Sequence, residues 1–404
     1  MTAKMRKVVI AGGSIAGLSA ARELRRSGFD GSIHMIDRDV RAPYRRPAVS
    51  KSILTAQHQP ADIAIAVPAE LDIASVGGVS LCALDSRRRV VLGDADGTAV
   101  RFGYDGLIIA TGSHARRWRP PAELGGVYSL RSLADGMALR GPLAAAGHVV
   151  VVGGGFIGLE VASAARSMGV AVTVIEAAAV PLAHVLGQAL GEYLAQVHRD
   201  HGVRVRCGTT VTGLHGRGTV ESVVLSDGTE IGTDLVLACV GSEPAVGWLH
   251  DSGLELGHGV ICDQRCLASG AEHVAAAGDA ASWHNPCFGR RMRVEHWANA
   301  IEQGTFAARA LLGLAPETGF HSVPYFWSEQ YGTRLQSVGV SAGHDEALIL
   351  RQSEQAILVG YGHAGRLIGV AGYNAGPAVL GYRKNIERGT RLAELADTVA
   401  VNVS

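Results

Sequence analysis

Two short glycine-rich segments carry the residues best suited to chemistry in this chain. They are Gly12-Gly13-Ser14-Ile15-Ala16-Gly17 and Gly153-Gly154-Gly155-Phe156-Ile157-Gly158. Each follows an apolar run, opens a helix-like segment and is trailed about one strand later by an acid, Asp37 or Glu176. Glycines let a backbone approach a pyrophosphate, the helix N-terminus attracts its charge, and the carboxylate accepts the ribose hydroxyls. Two such segments predict two dinucleotides, and hydride transfer between them is the simplest use of the pair.

The elements that must hold these turns repeat along the chain. The first turn is expected to join a strand to a helix at 18–27 and a strand at 32–36. The second leads to a helix at 159–168, a strand at 172–175 and a long helix at 188–201. Each repeat closes on a similar strand and turn, at 105–112 and at 234–241. Order and spacing that recur in this way predict an α/β protein with two related nucleotide-binding domains.

Composition restricts the classes of protein. The 404 residues are 47% hydrophobic and only 18% charged, with 53 glycines and a formal net charge of zero. These values suit buried parallel strands and give no electrostatic reason to expect nucleic acid or a membrane as partner. The first residues run directly into a strand, and no apolar run of membrane-spanning length is present. We therefore expect a cytoplasmic enzyme.

The six cysteines are scattered and lack the spacing of a zinc site, so no metal is assigned. Cys262 and Cys266 stand four residues apart and admit two interpretations. They are either a redox pair or two small residues in a strand and a loop. The absence of a flanking glycine or proline turn favours the second interpretation.

At six separated places the chain resembles the oxygenase-coupled NADH-dependent ferredoxin reductases, the FAD flavoproteins similar to putidaredoxin reductase and rhodocoxin reductase. The matching segments are the two glycine turns, Pro43-Tyr44-Arg45-Arg46-Pro47-Ala48-Val49-Ser50-Lys51, Ala110-Thr111-Gly112, Gly278-Asp279 and Phe326-Trp327-Ser328-Glu329-Gln330-Tyr331-Gly332. The third and the last are similar to the family's YxRPPLSK and WFWSDQYG. The resemblance extends to about residue 389.

The resemblance implies two Rossmann-like dinucleotide-binding domains and a third domain. An FAD-binding domain formed by 1–113 and 242–320 would be interrupted by an NAD-binding domain at 114–241. A C-terminal α+β interface domain would follow at 321–404. Two departures from the family pattern stand out: Ser14 replaces the middle glycine of the first turn, and Ala48-Val49 replaces Pro-Leu.

The resemblance also implies which residues bind FAD. The first turn (Gly12, Ser14, Ile15, Ala16, Gly17) would face the pyrophosphate, and Asp37 would bind the adenosine ribose. Arg46 and Lys51 would reach the phosphates and the flavin ring, and Leu81 and Arg131 would line the adenine side and the flavin. Gly278 and Asp279 would lie at the ribityl chain, and Glu295, Trp297 and Trp327 near the isoalloxazine. The turn Ala110, Thr111 and Gly112 is also implied as an FAD-binding position. The tryptophans have the ordinary alternative of a core role.

The NAD-binding positions would be Gly153, Gly155, Phe156, Ile157, Gly158, Glu160, Glu176 and Gly241. Glu176 would bind the ribose diol of NADH and repel the extra phosphate of NADPH, and the alanines after it supply no arginine. Lys51 and Glu160 are the candidate catalytic residues. Lys51 would stabilise reduced flavin, or be a solvated loop lysine. Glu160 would pair with Lys51, contact the nicotinamide, or be an ordinary acid near a helix start.

The expected activity is transfer of hydride from NADH to FAD and of single electrons to a two-iron two-sulfur ferredoxin. That ferredoxin would supply a cytochrome-type monooxygenase or a Rieske oxygenase. Segment 41–59 contains no cysteine, which argues against a thiol relay. The alternatives are a flavin NADH oxidase and an NADH-sensing flavoprotein similar to apoptosis-inducing factor.

Basic residues gather at two places, Arg290, Arg291 and Arg293, and Arg383, Lys384 and Arg388 on a predicted closing helix. They would either dock an acidic ferredoxin or form two solvated faces. A monomer or weak dimer is expected.

Overall fold

The computed structural model describes residues 5–41, 43–118 and 124–395. Its contacts divide the chain into two compact units. Unit 1 comprises Met1–Arg45, Ala64–His114 and Glu243–Pro324, and unit 2 comprises Arg46–Ile63, Ala115–Ser242 and Tyr325–Ser404. The short segment 46–63 therefore belongs to unit 2, although the chain on both sides of it belongs to unit 1. The four domain ranges expected from the sequence stay predictions.

The helices are α1 (Ile15–Arg26), α2 (Leu133–Ala145), α3 (Phe156–Ser167), α4 (Ala183–Asp200), α5 (Trp297–Leu311), α6 (Ala378–Gly381) and α7 (Arg383–Glu387). The first strands are β1 (Lys7–Ala11), β2 (Ser32–Ile36), β3 (Ile73–Val76), β4 (Ser80–Asp85), β5 (Val90–Ala95), β6 (Thr98–Gly103), β7 (Gly106–Ile109), β8 (Ser113–Ala115), β9 (Val127–Ser129), β10 (His148–Val152), β11 (Ala171–Glu176), β12 (Arg204–Cys207), β13 (Val211–His215) and β14 (Ser222–Leu225).

The remaining strands are β15 (Glu230–Gly232), β16 (Leu235–Ala238), β17 (Ser242–Pro244), β18 (Leu256–Gly257), β19 (Gly259–Cys262), β20 (Val274–Ala276), β21 (Ala281–Asn285), β22 (Arg290–Met292), β23 (Tyr325–Gln330), β24 (Thr333–Gly339), β25 (Glu346–Gln352), β26 (Ile357–His363) and β27 (Arg366–Tyr373). Short 3-10 turns lie at Arg46–Ala48, Pro60–Ile63, Ala69–Leu71, Gly247–Leu249 and Gly278–Ala280, and a π-helical turn lies at Val49–Ile53.

Unit 1 is built on a parallel sheet in the order β20-β7-β1-β2-β3. Residues 8–11 of its central strand β1, two valines, an isoleucine and an alanine, are fully buried, as expected for a parallel sheet covered on both faces. Helix α1 leaves this strand through the first glycine turn and packs against α5. A β4-β5-β6 meander and a sheet of β18-β19-β21-β22 complete the unit.

Unit 2 repeats the arrangement with a parallel sheet in the order β12-β11-β10-β16-β9. Helix α3 leaves β10 through the second glycine turn, and the β13-β14-β15 meander follows α4. An antiparallel sheet, β23-β24-β27-β26-β25, carries the short helices α6 and α7. The π-helical turn Val49–Ile53 packs against both α2 and α3. The predicted α/β fold class, with two parallel nucleotide-binding sheets and a C-terminal reductase domain, is confirmed.

Several predicted helix limits were wrong. Helices α1 and α3 begin three residues earlier than expected, at Ile15 and Phe156, because each helix starts inside its glycine turn. Helix α4 begins at Ala183 rather than residue 188, with a kink at Gly187, whose φ of 70° is not helical. The closing helix α7 ends at Glu387, so Arg388 is its C-cap.

Within the described ranges, no helix is long and apolar enough to cross a membrane. The same residues include no cluster of three or more histidine, cysteine, aspartate or glutamate side chains placed to hold a metal ion.

Candidate functional site

The first glycine turn is shaped by close backbone packing in unit 1. Gly12 has a φ of +112°, and a methyl group built on it would lie 2.2 Å from the carbonyl oxygen of Ala110. A methyl group on Gly17 would lie 2.0 Å from the oxygen of Gly12. Both positions therefore require glycine for the fold itself, whether or not a ligand is bound.

Asp37, at the end of β2, ties this turn to the sheet. Its Oδ2 accepts a hydrogen bond from the amide of Gly13, and its Oδ1 accepts one of 2.8 Å from the amide of Asp39. An ionised carboxylate has about four lone-pair directions, so these two bonds leave acceptor capacity for a ribose diol.

The second glycine turn, in unit 2, has the same construction. Gly153 has a φ of +107°, and a methyl group there would lie 2.3 Å from the oxygen of Cys239. Glu176, the last residue of β11, accepts 2.7 Å from the amide of Gly154 through Oε2 and 2.8 Å from the amide of Ala178 through Oε1. Asp37 and Glu176 therefore each fix the glycine turn of their own unit by accepting a hydrogen bond from its backbone.

The position that precedes each helix tests whether a phosphate fits. A methyl group on Gly155 would meet no atom of the described residues within 4 Å, so they leave the space beside this backbone open. Ser14, at the matching position before α1, makes no side-chain capping bond. Neither helix has an acid in its first turn, and the first amides of a helix have no partner within it. Both turns therefore fit an anionic pyrophosphate.

Two predicted site residues, Gly278 and Asp279, lie in the Gly278–Ala280 turn of unit 1. Ser113 Oγ donates 2.8 Å to Oδ2 of Asp279, and Arg293 donates 3.1 Å to the Asp279 carbonyl. The Gly278 amide donates 2.9 Å to Oε1 of Gln303, which is fully buried on α5. The turn is therefore held from two sides, and Gln303 is a supporting residue that the sequence analysis did not identify.

The two candidate catalytic residues form an ion pair within unit 2. Lys51 Nζ lies 2.6 Å from Oε2 of Glu160, and Ser50 Oγ donates to the same oxygen. Ser328 Oγ donates 2.7 Å to the other oxygen, Oε1. Of the three alternatives left open for Glu160, the structure contains the pairing with Lys51. Ser328 lies inside a quoted motif, but nothing in the motif shows which carboxylate its hydroxyl contacts.

The other predicted residues divide between the units. In unit 1, Leu81 packs against the core and Ala110 is buried. Thr111 Oγ1 donates 2.8 Å to the Ala245 carbonyl, Glu295 pairs with Arg293, and Trp297 begins α5.

In unit 2, Arg46 donates 2.9 Å to the Arg131 carbonyl, and Gly241 has a φ of +100°. Phe156 packs edge-on against Phe326, and Trp327 stacks with Tyr325. Their roles toward FAD and NADH stay predictions.

Cys262 and Cys266 are buried free thiols. Burial raises the pKa of Cys262 to about 12 and the pKa of Cys266 well above its usual value. Neutral, buried thiols are unsuited to exchange chemistry, which supports the interpretation of two small core residues.

Each of the two parallel sheets therefore carries a glycine turn fixed by an acid, which is the arrangement that a protein for two dinucleotides requires. The chain belongs to the pyridine nucleotide-disulphide oxidoreductase family, whose sequence pattern matches residues 6–304, and residues 325–400 match the reductase C-terminal family.

Named relatives agree with the resemblance. The ferredoxin--NAD(+) reductase subunit of the benzene 1,2-dioxygenase system of Pseudomonas putida is 36% identical, over 85% of this chain and 82% of its own. Rhodocoxin reductase of Rhodococcus erythropolis is 34% identical, over 91% of this chain and 86% of its own. The structure of the covalent putidaredoxin reductase–putidaredoxin complex matches with a TM-score of 0.90 and 30% identity, covering 97% of this chain and 95% of that chain. The predicted family resemblance is confirmed.

Proposed function

We propose that this protein is an FAD-dependent NADH:ferredoxin reductase. It takes a hydride from NADH and delivers single electrons to a two-iron two-sulfur ferredoxin that supplies an oxygenase. The observation that carries the proposal is the matched pair of carboxylates, Asp37 on the Gly13 amide and Glu176 on the Gly154 amide. One such site binds one dinucleotide, so two of them in one chain support a reaction between two.

We assign FAD to the turn of unit 1 and NADH to the turn of unit 2. When bound, the flavin accepts a hydride and releases its electrons one at a time, which is chemistry that no side chain provides. The protein's part is to bind and orient. Asp37 and Asp279 would hold the sugar hydroxyls of FAD, and the open backbone at Gly155 would admit the pyrophosphate of NADH.

The surroundings of Glu176 support NADH rather than NADPH. In this proposal the adenosine ribose of the coenzyme binds at the Glu176 carboxylate, and Ala177 and Ala178 follow it in the sequence. Arg206, on the neighbouring strand, donates 2.7 Å to Asp227 and is already paired. A 2′-phosphate bound beside Glu176 would therefore meet a negative charge.

The nature of the electron acceptor rests on two supports. The named relatives serve dioxygenase and putidaredoxin systems, and segment 41–59 offers no cysteine for a thiol relay. A one-electron carrier is then the expected acceptor. A cytochrome-type or Rieske oxygenase as the final consumer, a cytoplasmic location and a monomer or weak dimer belong to the same proposal.

Anaerobic stopped-flow absorbance tests the proposal in two steps. NADH should bleach the flavin of the purified yellow protein, and added ferredoxin should then reoxidise it and become reduced. A protein that neither holds nor takes up FAD contradicts the proposal. Rapid NADH consumption with dioxygen, unaffected by ferredoxin, would identify an NADH oxidase instead.

A further inference from the structure

A buried chain of hydrogen bonds leads away from Glu160 on the side opposite Lys51. Gln330 Nε2 donates 3.2 Å to Ser328 Oγ, and His198 Nε2 lies 3.0 Å from Gln330 Oε1. At the far end, Tyr331 Oη lies 2.8 Å from His198 Nδ1. Ser328 and Gln330 are each 1% exposed and His198 is 0% exposed, so water does not compete for these bonds.

The direction of every bond in this chain follows from the carboxylate at its end. The Glu160 carboxylate can only accept hydrogen bonds, so Ser328 must donate its single hydroxyl proton to Oε1. The Ser328 oxygen then accepts from the amide nitrogen of Gln330, which turns the amide oxygen toward His198. His198 must therefore carry its proton on Nε2, and its bare Nδ1 accepts from the Tyr331 hydroxyl.

We propose that His198 is a positioning residue for the Lys51–Glu160 pair, acting through Gln330 and Ser328 as a fixed Nε2–H tautomer. All donors of the chain point toward Glu160, so they hold Oε1 in place while Lys51 and Ser50 hold Oε2. In consequence, the carboxylate that faces Lys51 is oriented by an imidazole three hydrogen bonds away.

The surroundings of His198 keep it neutral. Burial, with a smaller contribution from the nearby His201, lowers the pKa of His198 to about 4, against the opposing effect of its bond to Gln330. His201 itself is exposed and stacks on the Tyr331 ring with centroids 3.7 Å apart. A neutral imidazole has one donor and one acceptor, and this chain uses both. The inference that this orientation matters for flavin reduction rests on the proposed function.

Nitrogen-15 NMR of the FAD-loaded protein, labelled at histidine, reads the tautomer without measuring activity. The His198 signals are identified by their loss in His198→Gln. At pH 7 they should report protonated Nε2 and bare Nδ1. They should shift in Ser328→Ala, which interrupts the chain next to Glu160. A protonated Nδ1, an imidazolium, or signals that ignore Ser328→Ala would overturn the proposal.

Stopped-flow reduction of the flavin by NADH then tests what the hydrogen-bond chain from His198 to Glu160 contributes to the rate. His198→Leu should lower the limiting rate about tenfold, which corresponds to about 1.4 kcal/mol in the barrier, while the NADH concentration for half-maximal rate stays within about twofold. His198→Gln keeps a donor toward Gln330 and should recover most of the rate. Tyr361→Phe is the matched control, since Tyr361 is buried and donates 2.6 Å to the Leu186 carbonyl outside this hydrogen-bond chain.

The possible outcomes distinguish a positioning role of His198, a purely structural role of His198 and a failure of the proposed function. A lower melting temperature with an unchanged limiting rate in His198→Leu would reduce the residue to a structural one and overturn the proposal. If His198→Leu does not fold, Gln330→Met serves in its place with the same expected rate and the same contrary result. Wild-type protein that NADH cannot bleach would contradict the proposed function, whereas the NMR result would still decide the tautomer.

Discussion

Lys51 and Glu160 form an ion pair of 2.6 Å whose side chains are 22% and 7% exposed. Two serine hydroxyls complete the environment of the carboxylate, one at each oxygen. A buried carboxylate held by three donors is rigid, and it fixes the position of the lysine charge in turn. The pair thus holds the lysine charge at one fixed place beside the carboxylate.

Replacing Lys51 by Met should separate the roles of charge and binding. We expect slower flavin reduction by NADH and a lower flavin potential with FAD still bound, because the lost cation acts on reduced flavin. Glu160 is left buried with one donor fewer, so the free energy of unfolding should fall by about 2 kcal/mol. Urea unfolding and redox titration measure the two effects.

A double variant provides the control for that experiment. Lys51→Met with Glu160→Gln removes both charges, and it should be more stable than Lys51→Met alone while remaining slow in flavin reduction. An unchanged potential in both variants would return Lys51 to the role of an ordinary loop residue.

Two glycines of the second turn should respond differently to the same substitution. Gly153→Ala should destabilise the protein by about 1–3 kcal/mol, because its φ is positive and Cys239 O blocks a methyl group. Gly155→Ala should leave the melting temperature nearly unchanged, since no atom in the described part of the chain lies within 4 Å of the added methyl group, yet weaken NADH binding by narrowing the approach to the backbone. Calorimetry and NADH titration test the pair, and equal losses of stability would contradict the assignment.

The coenzyme preference should depend on Glu176. Wild-type protein should favour NADH over NADPH by about tenfold or more in kcat/KM, equivalent to about 1.4 kcal/mol. Glu176→Ala with Ala177→Arg should narrow or invert this preference, and Glu230→Ala with Glu221→Arg, which alters acids outside the turn, should preserve it. Equal use of both coenzymes by the wild type would show that Glu176 does not contact the ribose.

The buried cysteines should resist alkylation. At pH 8, with a thiol pKa of about 12, only about one Cys262 in ten thousand is ionised, and burial also blocks the reagent. Iodoacetamide should label exposed Cys82 and spare Cys262 and Cys266 until the protein is unfolded. Rapid labelling of the native pair, read by mass spectrometry, would revive the redox interpretation.

The basic clusters lead to a prediction about salt. Arg291 donates to the carbonyls of Cys262 and Ser282, and Arg293 pairs with Glu295, so two of the three arginines of that cluster are bound within unit 1. On α7, Lys384 and its C-cap Arg388 are exposed one turn apart. Ferredoxin-dependent turnover should fall with rising salt while flavin reduction by NADH barely changes.

Charge reversal tests the same surface at low salt. Lys384→Glu with Arg388→Glu should reproduce the loss of ferredoxin turnover, whereas Arg204→Glu with Arg217→Glu carries the same charge change outside the C-terminal sheet and should not. A silent reversal on α7 would place the docking surface elsewhere.

The sequence predicted the local parts of the two sites well, for a physical reason. A glycine turn, the strand before it and the acid one strand later lie within about 30 residues, so Gly12 and Asp37 are specified by a short-range pattern. The same pattern also showed that the order of strand, glycine turn, helix and strand occurs twice along the sequence. Helix starts were misplaced because the turn residues Ile15 and Phe156 already have helical geometry.

The supporting contacts could not be predicted in this way. Ser328 reaches Glu160 across 168 positions, and Gln330 reaches His198 across 132. Such pairs depend on how the C-terminal sheet packs on α3 and α4, which no local periodicity encodes. The motif that contains Ser328 and Gln330 identified a relationship to other proteins, but it assigned no contact to either side chain.

The division of unit 1 into three segments has a consequence for protein synthesis. Its sheet gains edge strand β20 only after Ala276 is made, and α1 is covered by α5, whose Gly304 packs tightly on Ala16. All five strands of the other parallel sheet lie between Val127 and Ala238. During synthesis on the ribosome, the parallel sheet of unit 2 therefore has all of its strands before the parallel sheet of unit 1 does. The unit 1 sheet begins earlier in the chain, but it lacks β20, and α1 lacks the cover of α5, until those later elements have been made.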